Sequence, residues 1–265
     1  MEVIDYFSLS FLMGLAAHLS AYVGTYLPPI ILGLTFSLVV DVILKQIAIK
    51  PLKVTFGLES VELMNISPWF FMHTYRSSSL YKNTIKYSRF GHRKIDAYFE
   101  GQMRSSFIER SNRYNLMLSV ALIVLIVPLH YMTFSVGGIL WLGVVFGVCI
   151  RTISRSLEIV YAFTRDVIAY DNAQTSTLNK FDRIKLALTS YLENILNFTV
   201  VYTVFGGAQL NLIQSLFDSI GRSTISNVSV SISSGATLQA FAYLQVFTSL
   251  TLVVLSLAIY VGRKY

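Results

Sequence analysis

Apolar and polar positions fall in long blocks along this chain. Runs nearly free of charge cover residues 6–27, 29–44, 115–134, 139–150, 184–206 and 238–261. A helix needs about 20 apolar residues to cross a hydrocarbon layer about 30 Å thick. The blocks therefore predict an all-α membrane protein with about six transmembrane helices. The break Thr25-Tyr26-Leu27-Pro28-Pro29 separates the first two runs. Proline suits the first turn of a helix, so this break predicts a helical hairpin. The fourth run continues through Arg151 and Arg155 to about Tyr170 and predicts one long helix.

Four segments follow. Residues 1–44 form an N-terminal transmembrane hairpin. Residues 45–113 form a basic segment outside the bilayer, helical toward its end. Residues 114–185 form a second transmembrane hairpin with a cytoplasmic helical extension, and residues 186–265 form the last unit. Trp69, Phe70, Phe71 and Tyr75 suit the membrane interface, where aromatic rings collect. The N-terminus lacks the positive charge of a cleaved signal, so the first run is expected to be retained.

Charge gives the orientation. Hydrophobic residues make up 54% of the chain and charged ones only 13%, against about 25% in a soluble domain. Of the 21 Lys and Arg residues, twelve lie in 45–113 and six in 151–185; two are Arg263 and Lys264, and only Arg222 is left. Basic loops stay in the cytoplasm. This pattern predicts a multi-pass protein of the cell membrane with both termini cytoplasmic. It also accounts for the net charge of +7 without nucleic acid as a partner. A four-span arrangement would leave one hairpin re-entrant or interfacial.

The segment between the last two runs is unlike a plain loop. Residues 211–222 read as an amphipathic helix of about three turns. Small polar residues follow, including Ser223, Thr224, Ile225, Ser226, Asn227, Val228 and Ser229. A short helix, a small-residue stretch and a full-length helix make a re-entrant element. Non-helical backbone at membrane depth must be buried in protein or line a watery cavity.

From about residue 186 onward, roughly 80 residues, the chain resembles the pore module of the potassium-channel-like superfamily: outer helix, pore helix, filter, inner helix. The family's filter reads Thr-Val-Gly-Tyr-Gly, and the matching stretch is Thr224-Ile225-Ser226-Asn227-Val228. The two glycine positions hold Ser226 and Val228, which resist the backbone geometry of such a filter. The resemblance thus implies a homotetrameric pore for monatomic ions, of weak or non-potassium selectivity. Arg222 either opposes cations in the ion path or pairs with Asp218 one turn earlier. In the last run Thr248, Ser249, Thr251 and Ser256 either face water or bond helix to helix.

Other chemistry is sparse. Glu193 lies within the fifth run, where an ionisable group has a functional or paired role. Asp41 reads as an interfacial carboxylate. Arg151, Arg155 and Arg165 are spaced by four and ten, which is not the every-third pattern of a voltage sensor. The lone cysteine, Cys149, excludes an intrachain disulfide. His18, His73, His92 and His130 lack ligand spacing, so no metal and no cofactor are expected. No catalytic motif is present, so no enzyme activity is expected either. Besides a channel, the sequence admits a non-conducting membrane scaffold or sensor that recruits a cytoplasmic protein or anionic lipid through its basic segment. A small-solute transporter lacks the internal repeat such folds carry.

Overall fold

A computed structural model describes residues 2–55, 93–133, 138–168, 177–205, 211–227 and 235–262. Among the described residues there are six helices and no strand: α1 (Glu2–Thr55), α2 (Arg93–Thr133), α3 (Ile139–Ile168), α4 (Lys180–Phe205), α5 (Leu212–Ser223) and α6 (Gly235–Gly262). The aromatic interface stretch near Trp69, and Val228 and Ser229, lie outside them.

Four stretches are long and apolar enough to cross a membrane: Gly24–Ala48, Ser105–His130, Ile139–Thr164 and Ala236–Leu257. This is a multi-pass membrane protein. Helix α4 is as long as these spans but more polar, and its place in the bundle explains why. It packs against α2, α3, α5 and α6. Its buried residues include Ser190, Glu193, Asn194, Asn197, Thr199 and Thr203. Its polar residues face these neighbours, while Leu188 and Leu192 on another face are exposed.

The break expected at residues 25–29 is absent. Helix α1 runs unbroken through Pro28 and Pro29. Each internal proline removes one backbone hydrogen bond, and membrane helices tolerate that better than a turn with several open backbone groups. An unbroken helix of 54 residues is about 80 Å long at 1.5 Å per residue. It separates its two ends, whereas a hairpin would return the N-terminus to the side of the basic segment. The expected helix before Arg113 and the third apolar run are likewise one helix, α2. The long helix expected from residue 139 is α3.

Helix α1 lies very close to α3. A Cβ built on Gly33 would stand 2.7 Å from the Gly147 backbone nitrogen and 2.9 Å from the Gly143 carbonyl oxygen. The Gly143-x-x-x-Gly147 spacing gives α3 a flat face, which lets helix backbones approach in lipid. The apolar core lies between α2, α3, α4 and α6. Leu122, Ile126, Val148, Phe198, Val201 and Phe241 meet there.

Candidate functional site

Helix α5 begins with a capping box. The Asn211 side chain accepts from the Gln214 N–H at 2.8 Å, and Gln214 Oε1 accepts from the Asn211 N–H at 3.3 Å. Serines then recur at Ser215, Ser219 and Ser223, one turn apart, and all three are buried. The opposite face, with Ile213 and Phe217, is exposed. Its amphipathy is inverted: the polar face looks into the protein.

That polar face is bonded to both neighbouring long helices. The Ser219 hydroxyl donates to the Ile195 carbonyl of α4 at 2.7 Å. Gln245 of α6 donates through Nε2 to Ser219 O (2.9 Å), Ser219 Oγ (2.7 Å) and Ser223 Oγ (2.8 Å). Its Oε1 accepts from the Tyr202 hydroxyl at 2.5 Å. Ile195 lies ten residues before the end of α4, and Gln245 ten residues after the start of α6. Both contacts are thus about 15 Å along their helices from the ends nearest the start of α5.

The helix stops immediately beyond this point. The Ile225 N–H bonds to Arg222 O at 3.2 Å, and the Ser226 N–H to Gly221 O at 2.9 Å. This pair of bonds is the Schellman stop, whose left-handed residue is usually glycine. Here that residue is Ile225, with φ 61°. A β-branched side chain in this region is strained. Gly221 O also accepts from the Asn227 N–H at 3.1 Å. Gly221 itself makes room, since a Cβ there would stand 3.0 Å from the Asn227 Cβ.

The filter-like stretch is therefore partly something else. Ser223 is the last residue of α5, and Thr224, Ile225, Ser226 and Asn227 form its stop. These four are exposed. The helix-end carbonyls of Gly221 and Arg222 accept the stop's own hydrogen bonds. The cause is local: residue 225 adopts the left-handed conformation that folds the chain back.

Arg222 points behind this stop. Its guanidinium carbon lies 4.2 Å from the centre of the Tyr202 ring, and Nη2 lies 3.4 Å from Asp218 Oδ2. Only 7% of the residue is exposed. Among the described residues its buried Nε and Nη1 have no hydrogen-bond partner. The pairing with Asp218 was legible in the sequence from the spacing of four; the stacking on Tyr202 was not.

A second polar cluster lies deeper. Arg155 of α3 donates to Glu193 of α4 through Nε (2.7 Å) and Nη2 (3.0 Å). It also donates to Asn112 Oδ1 (2.9 Å) and Glu158 Oε2 (2.9 Å). One turn earlier Arg151 donates to Asn115 Oδ1 at 2.5 Å and lies 3.7 Å from Asp41 Oδ1. Asp41 also holds Lys45 at 2.6 Å. Three acids and three bases cancel in charge inside the bundle.

Asp41, expected as an interfacial carboxylate, is buried in the bundle and paired with Lys45. Arg151 and Arg155 are buried ion-pair partners. Glu193 has the paired role, with Arg155. The sequence signal for this pairing was present in arginines and a glutamate set within apolar helices, but which faced which was not. Of the hydroxyls in the last helix, Ser249 accepts from Asn194 at 3.0 Å, while Thr248, Thr251 and Ser256 donate to their own backbone. Among the described residues, no three His, Cys, Asp or Glu side chains are gathered as metal ligands would be.

No family model matches the chain, and neither a characterised protein nor a solved structure matches it.

Proposed function

We propose that this protein is an oligomeric, channel-like pore of the cell membrane, with α5 as its re-entrant helix and α6 as its inner helix. One observation carries this reading. A helix of only 12 residues is bonded through Ser219 to the middle of α4 and stops there, leaving residues 224–227 exposed. Half the length of α4 corresponds to about half the thickness of a bilayer. Exposed polar side chains and non-helical backbone at that depth, even with the stop's N–H groups bonded internally, call for water or protein beside them rather than lipid. Further copies of the chain arranged about an axis, as in a tetramer, supply both. Monatomic ions are the transported class on this reading. The basic segments and the C-terminus are cytoplasmic.

A second reading is a non-conducting membrane scaffold or sensor that reuses this architecture and recruits a cytoplasmic partner. It is favoured by the apolar character of the outward face of α6, where Phe247, Leu250, Val253, Val254 and Leu257 are exposed. Ion flux in liposomes separates the two. Purified protein is compared with Arg222→Ala and Asn227→Ala. Conduction that changes in the variants supports the pore; silence of all three at every potential and pH tested removes it.

A further inference from the structure

One turn of α4 touches four other helices through four different polar groups. Glu193 holds Arg155 of α3 at 2.7 and 3.0 Å. Asn194 donates to Ser249 of α6 at 3.0 Å. The Ile195 carbonyl accepts from Ser219 of α5 at 2.7 Å. Asn197 Oδ1 accepts from Ser119 of α2 at 2.8 Å. Glu193 is 1% exposed and Asn194 2% exposed. All of this occupies about 6 Å of helix.

We infer that the Arg155–Glu193 pair is a positioning device for the α5 stop, acting through the 193–197 turn of α4. The pair fixes the height and rotation of α4 against α3 with a planar two-bond fork. Two residues further on, the same turn carries Ser219, and Ser219 is four residues before the end of α5. On the other side α3 is pressed onto α1 at Gly33, Gly143 and Gly147. Without the Glu193 carboxylate the fork between α3 and α4 is lost, while Arg155 keeps Glu158 of its own helix. Helix α4 then loses its register against α3, and its shift reaches α5 and α6 through Ile195 and Asn194. The inference rests on the α5 stop being the functional site, but its test does not require conduction.

The test places a cysteine at Ser226, in a Cys149→Ala background, and measures its rate of modification by a small maleimide in detergent. The same is done at Leu125 on the outward face of α2. Glu193→Gln is expected to change the rate at position 226 by about threefold or more, within the range of energetic coupling between distant sites, and to leave position 125 unchanged. Equal rates at 226 with and without Glu193→Gln overturn the inference. A matching change at both positions also overturns it, because the pair then holds the whole bundle alike. If Glu193→Gln does not fold, Arg155→Lys, which keeps the charge and loses the fork, is read in the same way. In parallel, absence of flux from wild type would remove the pore reading while leaving the rates at 226 to decide this one.

Discussion

Ile225 occupies a position that chemistry assigns to glycine. Its left-handed backbone, φ 61°, costs a residue bearing a Cβ about 1–2 kcal/mol. Glycine would relieve this and give back about 0.5–1 kcal/mol in chain entropy. Ile225→Gly is therefore expected to raise the thermal midpoint in detergent by the equivalent of up to about 1 kcal/mol. A lower midpoint would show that the side chain contributes more than its backbone costs. Glu193 and Arg155 present the opposite case, a well-matched pair in a costly place. Arg155→Ala should cost about 3–5 kcal/mol, because the buried Glu193 is stranded; Glu193→Ala should cost less, because Arg155 keeps Glu158. The double variant Arg155→Met with Glu193→Leu should recover part of the Arg155→Ala loss, since Glu158 still lacks its arginine. Equilibrium unfolding of the three proteins checks the ordering; a double variant weaker than Arg155→Ala contradicts it.

At the scale of elements, two contacts control how helices meet. The first is the approach of α1 to α3. Gly33→Val places side-chain atoms against the Gly147 backbone, which cannot move as a rotamer can. A loss of about 1–3 kcal/mol is expected. Gly24 on the same helix has no atom within 4 Å of a built Cβ. Gly24→Ala should gain helix propensity of up to about 1 kcal/mol. Opposite shifts in melting temperature for the two variants locate the contact. The second is the start of α5. Asn211→Ala removes the side-chain oxygen that accepts from Gln214 and should cost about 1 kcal/mol, read as faster hydrogen exchange in the first turn of α5. Unchanged exchange there would mean that packing alone holds the helix start. This element is legible in the residues themselves. Their pattern predicts a helix over 211–222, and α5 is Leu212–Ser223 with Asn211 as its cap. Cap, length and stop are local properties. The unbroken course of α1 through Pro28 and Pro29 is not legible in the same way, because a proline pair in a membrane helix permits either a turn or an uninterrupted helix.

For the whole molecule, the chain exposes an apolar ridge on α5 beside a polar stop whose residues are exposed. Lipid suits the ridge but not exposed polar side chains. An image down the membrane normal is expected to show several copies about a central axis with the α5 stops facing it. A monomer would remove the geometry on which the pore reading depends.

The sequence by itself determined membrane insertion, since charge-free runs of about 20 residues have few other stable settings. It also determined the short helix α5 and admitted the pairing of Arg222 with Asp218 as one of two alternatives, because an amphipathic pattern and spacings of four are written within one helix. Only the tertiary structure decided the meaning of Asp41, Arg151, Arg155 and Glu193. Arg155 and Glu193 are 38 positions apart and Ser219 and Ile195 are 24 apart. No period or motif links such positions. They meet because α4 packs against α2, α3, α5 and α6, and on its buried faces a charge or hydroxyl finds its partner on a neighbouring helix.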